Sequence, residues 1–289
     1  MTDSASLPGP AYSVRRMLHA AGIRPRKSLG QNFLVDEGAL GQVASAADIG
    51  AEDVLLEIGA GAGSLTRHLA ARARRVIAVE IDPLLISLLR AALSSFPNVT
   101  LVQGDILALP VEDLVGNAAS GNYKVAANIP YYITSAIIRR LVESSVSPSL
   151  MVLTVQKEVA ERICAQPGKM SLLSLSVQYY GTPAIVGRIP AEAFYPAPKV
   201  DSAIVKVEFQ SPSTRNIEAA GWMFRIARAG FSQKRKMLRN TLSAGLVLSP
   251  KDIESFLTRA GVDPKRRAET LTVAEWVKLA ETIPSMPQK

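Results

Sequence analysis

Apolar positions along this chain follow two alternating rhythms. Short runs rich in Val, Ile and Leu occur at Val54–Ile58, Val76–Glu80, Val99–Gln103, Tyr123–Ala127 and Ser149–Val155. Such runs, short and bounded, predict strands covered on both faces. Between them, Ser64–Ala73, Pro83–Leu93 and Thr134–Glu143 carry helical patterns. Strand, helix and strand in succession predict parallel pairing through crossovers, hence an α/β sheet flanked by helices. Ala184–Ile189 and Ala203–Phe209 have no helical pattern between them and predict an antiparallel addition at one edge.

The rhythm changes after Gln210-Ser211-Pro212-Ser213-Thr214, a polar stretch of hinge composition. Beyond it every pattern is helical. Ser249-Pro250-Lys251-Asp252 offers a capping serine, a proline at the first helical position and an acid in the first turn. Thr272 and Glu275 have capping-box spacing. The expected fold class is therefore α/β: a mostly parallel, Rossmann-like sheet with one antiparallel edge strand and a small C-terminal helical domain. The expected boundaries are 1–213, opening with a basic segment over 1–35, and 214–289.

Composition narrows the function classes. No apolar run is long enough to span a bilayer, and Met1-Thr2-Asp3-Ser4 does not begin a secretory signal, so a cytoplasmic protein with no membrane partner is expected. The single Cys164 forms no internal disulfide and suits a reducing compartment. Two distant histidines, His19 and His68, leave no metal-ligand cluster, so no metal is expected.

Charge adds a partner. Eleven basic and three acidic residues between Phe224 and Arg267 account for the whole net charge of +8. Arg228, Lys234, Arg235, Lys236, Arg239, Arg266 and Arg267 are the candidates there for gripping phosphates, and Arg15, Arg16, Arg24, Arg26 and Lys27 form a smaller group near the start. Localised positive charge of this kind points to a polyanion.

Chemistry sits at the expected strand ends. Glu57-Ile58-Gly59-Ala60-Gly61-Ala62-Gly63-Ser64 follows the first strand and opens a helix, so Gly59 and Gly61 let the backbone approach a ligand. Glu80 ends the second strand, placed for two ribose hydroxyls, and Asp105 follows the third, placed for an adenine amino group. The dinucleotide fingerprint wants a glycine where Ser64 stands. The acid Glu57 suits a cationic sulfonium better than a pyrophosphate. Both features favour S-adenosylmethionine over a dinucleotide. At the fourth strand end stands Asn128-Ile129-Pro130-Tyr131. The Asn128 side-chain oxygen and the Pro130 carbonyl can accept both hydrogens of a nucleobase amine, with Tyr131 stacked on the ring.

These segments resemble one family closely. Gly30-Gln31-Asn32-Phe33-Leu34-Val35-Asp36, Glu57–Thr66, Val79-Glu80-Ile81-Asp82, Gly104-Asp105 and Asn128–Tyr131 are similar to motifs of the bacterial small-subunit (16S) ribosomal RNA adenine N6,N6-dimethyltransferases. So are Gln156–Arg162, Phe194–Ala203, Lys234–Asn240 and Gly261–Pro264 with Arg267-Ala268-Glu269. The resemblance implies a class I S-adenosylmethionine-dependent enzyme that dimethylates two adjacent adenosines near the 3′ end of 16S rRNA in immature 30S subunits. It implies that Asn32, Leu34, Gly59, Glu80, Asp105 and Asn128 line the cofactor site, and that Phe194 is a second aromatic at the target base. A monomer is expected. Two departures stand out: Ala60 where proline is frequent, and Met170-Ser171 where a tyrosine-glycine pair is usual. The alternatives are a large-subunit rRNA dimethyltransferase of the macrolide-resistance type, or a non-catalytic ribosome-assembly factor on the same fold.

Overall fold

A computed structural model describes residues 13–116, 123–129, 133–142, 144, 146–209 and 217–284. Two compact units emerge: residues 1–160 with 183–212, and residues 161–182 with 213–289. The stretch 161–182, which the sequence pattern left with the sheet, thus groups with the C-terminal helices. The hinge-like segment around 210–214 lies outside the described residues.

The first unit is built on a seven-stranded sheet. In chain order its strands are β2 (Val54–Ile58), β3 (Arg75–Glu80), β4 (Val99–Gln103), β5 (Tyr123–Asn128), β6 (Leu150–Gln156), β7 (Gly181–Ile189) and β9 (Ser202–Phe209). A separate pair joins β1 (Phe33–Leu34) to β8 (Phe194–Tyr195). The sheet order is β4-β3-β2-β5-β6-β9-β7. The pairings β4–β3, β3–β2, β2–β5 and β5–β6 are parallel. β9 is antiparallel to β6, with β7 outermost beside it, so the antiparallel addition comprises two strands. The buried strands explain the unbroken apolar runs: every residue of β2 is buried, as are five of six in β3 and six of seven in β6.

Helices in this unit are α1 (Val14–Ala20), α2 (Glu37–Ala46), α3 (Ser64–Ala70), α4 (Pro83–Ala92), α5 (Val111–Val115) and α6 (Thr134–Val142). α7 (Lys157–Ile163) follows β6 and ends in the second unit. Asp82 caps α4, its carboxylate accepting from Leu84 N, with Pro83 at the first helical position. Leu40, Val43, Leu55, Leu69, Val76 and Val152 form the core beneath α2 and α3.

One feature of the strand order locates the site. From β2 the chain moves outward to β3 and β4, then returns to β5 on the other side of β2. Ligands of open α/β sheets bind at such a reversal, outside the carboxyl ends of the strands. Here those ends are Ile58 and Ala127, paired in register, followed by Gly59 and Asn128.

The second unit holds α8 (Leu172–Gln178), α9 (Ile217–Gly230), α10 (Leu238–Leu246), α11 (Pro250–Arg259) and α12 (Val273–Thr282). The caps read from sequence are present. Ser249 accepts from Asp252 N, and Thr272 and Glu275 form a reciprocal capping box. Two glycines let the helices of this unit pack closely, Gly245 of α10 against α9 and Gly230 at the end of α9 against Trp276 of α12. A Cβ at Gly245 would stand 2.5 Å from Ala229 Cβ, and one at Gly230 would stand 2.5 Å from the Trp276 ring. Gly245→Ala is expected to lower the stability of this unit by about 1–3 kcal/mol, the usual cost of overpacking; an unchanged urea midpoint would contradict the packing. No helix among the described residues is long and apolar enough to cross a membrane.

Candidate active site

A cleft of about 770 Å³, its open mouth included, lies at the strand-order reversal. It collects Asn32, Gly59, Gly61, Glu80, Asp105 and Asn128 from five separate stretches of sequence. Leu34 lines a smaller adjoining cavity of about 330 Å³ together with Glu57, Gly59, Ser64 and Asn128. Phe194 lines neither. It is 4% exposed and packs in the core with Leu34, its cross-strand partner, so its aromatic surface is spent on packing there. Pro130 and Tyr131 lie outside the described residues.

The glycine loop is pinned to the end of β3. Gly59 N and Ala60 N donate to Val79 O, and Gly61 N donates to Glu80 Oε2 at 2.8 Å. Gly59 and Gly61 have φ of +77° and +59°, a region that strains any residue with a Cβ. A Cβ on Gly59 would also stand 3.4 Å from Asn128 O. Gly59→Ala is therefore expected to cost about 1–2 kcal/mol of stability and to weaken cofactor binding, read by thermal melting and calorimetry. Retention of both would show that the loop tolerates a side chain.

Glu80 is 5% exposed, and its other oxygen accepts from Asp82 N at 2.8 Å. Burial raises its pKa, while the bonds from Asp82 and Gly61 oppose that rise. Each oxygen retains a lone pair for a further donor. Asp105 Oδ1 accepts from Leu107 N at 2.9 Å, a turn-closing bond, while Oδ2 has no partner among the described residues. Ile81 and Ile106 supply apolar surface between these two acids.

Asn128 is oriented by one bond. Its Nδ2 donates to Asn32 O at 3.0 Å, and Oδ1 has no partner among the described residues. The amide thus presents an acceptor, with its donor side committed. The loop supplying Asn32 is itself tied down through Gln31 and Asp82, to which sequence reading gave no role of their own, and Arg26, which it counted among the cations for a polyanion. Gln31 Oε1 accepts from Arg26 N at 2.8 Å, Gln31 Nε2 donates to Asp82 Oδ2 at 2.9 Å, and Arg26 pairs with Asp82 at 3.4 Å.

Glu57 is buried behind the loop, 1% exposed, with no hydrogen-bond partner for Oε2. Burial pushes its carboxyl from the ordinary 4.5 up to about 8, and the nearby Glu80 carboxylate adds to the effect. Between these values the folded protein keeps a proton that the unfolded chain releases, so stability falls as pH rises from 4.5 towards 8 and then levels. Glu57→Gln is expected to flatten that slope, which is at most about 1.4 kcal/mol per pH unit. Parallel wild-type and variant urea midpoints between pH 5 and 8 would contradict it.

Among the described residues the cleft lining contains two acids and no basic side chain. A pyrophosphate would meet uncompensated repulsion there, whereas a sulfonium or ammonium cation is favoured. Among the described residues no group of His, Cys, Asp and Glu is placed to hold a metal.

Comparison with known proteins agrees with this chemistry. The family model described as ribosomal RNA adenine dimethylase matches residues 22–284. The chain belongs to that family. Its members are S-adenosylmethionine-dependent rRNA adenine dimethyltransferases, and the acidic cleft suits that cofactor. A relative from Dehalococcoides mccartyi (strain CBDB1), the ribosomal RNA small subunit methyltransferase A, is 45% identical over 277 residues, covering 95% of this chain and 94% of its own. Among solved structures, a dimethyladenosine transferase from Plasmodium falciparum is similar with a TM-score of 0.72 at 27% identity, covering 86% of this chain and 95% of that one. The 23S rRNA methyltransferase ErmE follows with a TM-score of 0.68 at 28% identity, covering 87% and 99%. The fold is thus shared with an enzyme of 23S rRNA, whereas the name of the curated relative is that of a small-subunit methyltransferase.

Proposed function

We propose that this chain dimethylates N6 of two adjacent adenosines near the 3′ end of 16S rRNA, acting as a cytoplasmic monomer on immature 30S subunits. The observation that carries the reaction is the Asn128 amide, which lines the cleft with Gly59 and Gly61 and whose Oδ1 has no partner among the described residues. The choice of subunit is supported by 45% identity to a small-subunit methyltransferase, against 28% to the large-subunit enzyme ErmE.

S-adenosylmethionine supplies an electrophilic methyl on a sulfonium. Glu80 would hold its ribose hydroxyls and Asp105 its adenine amine, with Asn32, Leu34, Gly59 and Gly61 completing the walls. Asn128 Oδ1 and the Pro130 carbonyl would accept both hydrogens of the target amine, and Tyr131 would stack on its ring. Those bonds favour a pyramidal nitrogen whose lone pair faces the methyl. The nitrogen lone pair forms the new N–C bond, the C–S electrons return to sulfur, and the N6 proton passes to water. No strong base is required, so the rate gain rests on orientation and electrostatics. The adenosine must leave its stack, which suits single-stranded or loop RNA.

In the second unit Arg228, Lys234, Arg235, Lys236 and Arg267 are exposed and have no acidic partner among the described residues. They would grip phosphates. Arg239 and Arg266 have a different first duty: Arg239 pairs with Glu254, and Arg266 binds both oxygens of Glu275 and Thr270 O. The Arg266 bond holds the Glu275 carboxyl below its ordinary value, so this contribution to stability is present at neutral pH and is lost on acidification. Arg266→Ala is expected to lower the melting temperature. Arg267→Ala is expected to leave it unchanged while reducing the salt slope of RNA binding by about 1. Equal effects of the two on melting would contradict this division.

The proposal is tested by incubating the protein with labelled S-adenosylmethionine and separated unmethylated ribosomal subunits. Label in the small subunit is expected; label in the large subunit alone would overturn the substrate assignment.

A further inference from the structure

A second cavity adjoins the cleft wall and is built for a different ligand. It encloses about 1080 Å³, open solvent included, and its polar wall is Arg15, Arg16, His19 and Arg24, with Tyr195 beside them and no acid among the described lining residues. Arg15 and His19 lie four residues apart on α1 and so share a face. The neighbouring stripe of the helix, Val14 and Leu18, is buried against Phe33 and Leu85, which both line the cofactor cleft. Phe33 is also the cross-strand partner of Tyr195. The helix bearing the cations is therefore docked on the same residues that wall the active site.

The charges are available. Arg15, His19 and Arg24 have no carboxylate partner among the described residues, in contrast to Arg26, which is committed to Asp82. The Arg15 guanidinium lies 5.5 Å from the centroid of the Tyr195 ring. A guanidinium backed by an aromatic ring presents a flat cationic surface, the kind on which unstacked RNA bases rest.

We propose that this cavity is a subsite for a nucleotide flanking the target adenosine. Its base stacks on the Arg15 guanidinium with Tyr195 behind, and its phosphate is held by Arg24 with His19 as a further donor. The subsite rests on the proposed rRNA reaction and gives it a strand-positioning element in the catalytic unit, separate from the basic helices. Splaying a base here holds the strand open beside the adenosine that must enter the cleft.

The test uses the full chain, cofactor and undermethylated small ribosomal subunits. Arg15→Ala and Arg24→Ala are expected to raise KM for the subunits about tenfold, leaving kcat and cofactor affinity unchanged. Arg24→Ala should also flatten the salt dependence of binding by about one in the log–log slope. Tyr195→Leu should match Arg15→Ala without adding to it, and Tyr195→Phe should restore the wild-type value. A 2-aminopurine placed next to the target in an RNA oligonucleotide should be quenched by the wild type and not by Arg15→Ala. Wild-type KM, salt slope and quenching in the arginine variants, with normal wild-type methylation, would overturn the subsite alone. A wild type that methylates no rRNA would overturn the proposed function and the subsite with it.

Discussion

Asn128→Ala is expected to reduce methyl transfer by roughly two to three orders of magnitude, the usual effect of removing one preorganised group that acts on the reacting centre. Two consequences of the substitution add up. The acceptor for the target amine disappears, and Asn32 O loses the Nδ2 donor that holds the cleft wall at 3.0 Å. Because Asn128 sits at the end of a strand paired on both sides, the backbone should remain in place. Cofactor affinity is therefore expected to change less than kcat. Asn128→Asp separates the two roles. It keeps an acceptor for the amine but places a carboxylate against Asn32 O, where a donor is required, so it should also be strongly impaired. Full activity in either variant would remove the amide from the mechanism.

Glu80→Ala is expected to have the largest effect on cofactor binding. The wild-type carboxylate accepts from Gly61 N and Asp82 N while facing the cleft. Losing it leaves two backbone donors unsatisfied, each costing about 1–3 kcal/mol where water cannot reach. It also frees the glycine loop at Gly61. Charge-assisted bonds to a ligand are worth about 1.5–3 kcal/mol each, so a loss of at least a hundredfold in affinity is expected, with a lower melting temperature. Glu80→Gln is the sharper variant, since its amide retains one acceptor oxygen and should lose less stability than affinity. Titration calorimetry and thermal melts on the same samples check this. Unchanged affinity in Glu80→Gln would mean that the residue only braces the loop.

The sheet was legible in the sequence because its central strands are buried on both faces. Val54–Ile58, buried along its whole length, begins and ends where the apolar run does, and the edge strand Val99–Gln103 keeps the expected bounds although it is only partly buried. The two-residue strands β1 and β8 carried no such signal, since pairs that short are set by tertiary contact rather than by periodicity. Stretch 161–182 went with the wrong neighbours for a similar reason: its apolar faces are satisfied within the second unit, where Tyr179 and Tyr180 meet Phe224, and sequence proximity gives no hint of that.

The lining of the cleft was legible where residue type and strand end coincide: Glu80, Asp105 and Asn128, read as candidates, come together there. What escaped was the support. Gln31, Arg26 and Asp82 act through one another across some fifty positions, and no local pattern records such a link. Phe194 shows the opposite limit. Its motif marked it for the base, and burial beside Leu34 and Leu40 gives it a core position. The even treatment of the basic residues also failed to separate Arg239 and Arg266, which are engaged with acids, from the exposed cations around them.

The most direct test of the account is mass-spectrometric mapping of rRNA nucleotides after reaction with S-adenosylmethionine, for wild type and Asn128→Ala side by side. The expected result is N6,N6-dimethyladenosine at two adjacent positions near the 3′ end of small-subunit rRNA with the wild type, and at most traces with the variant. Dimethylation elsewhere, or equal product from Asn128→Ala, would contradict it.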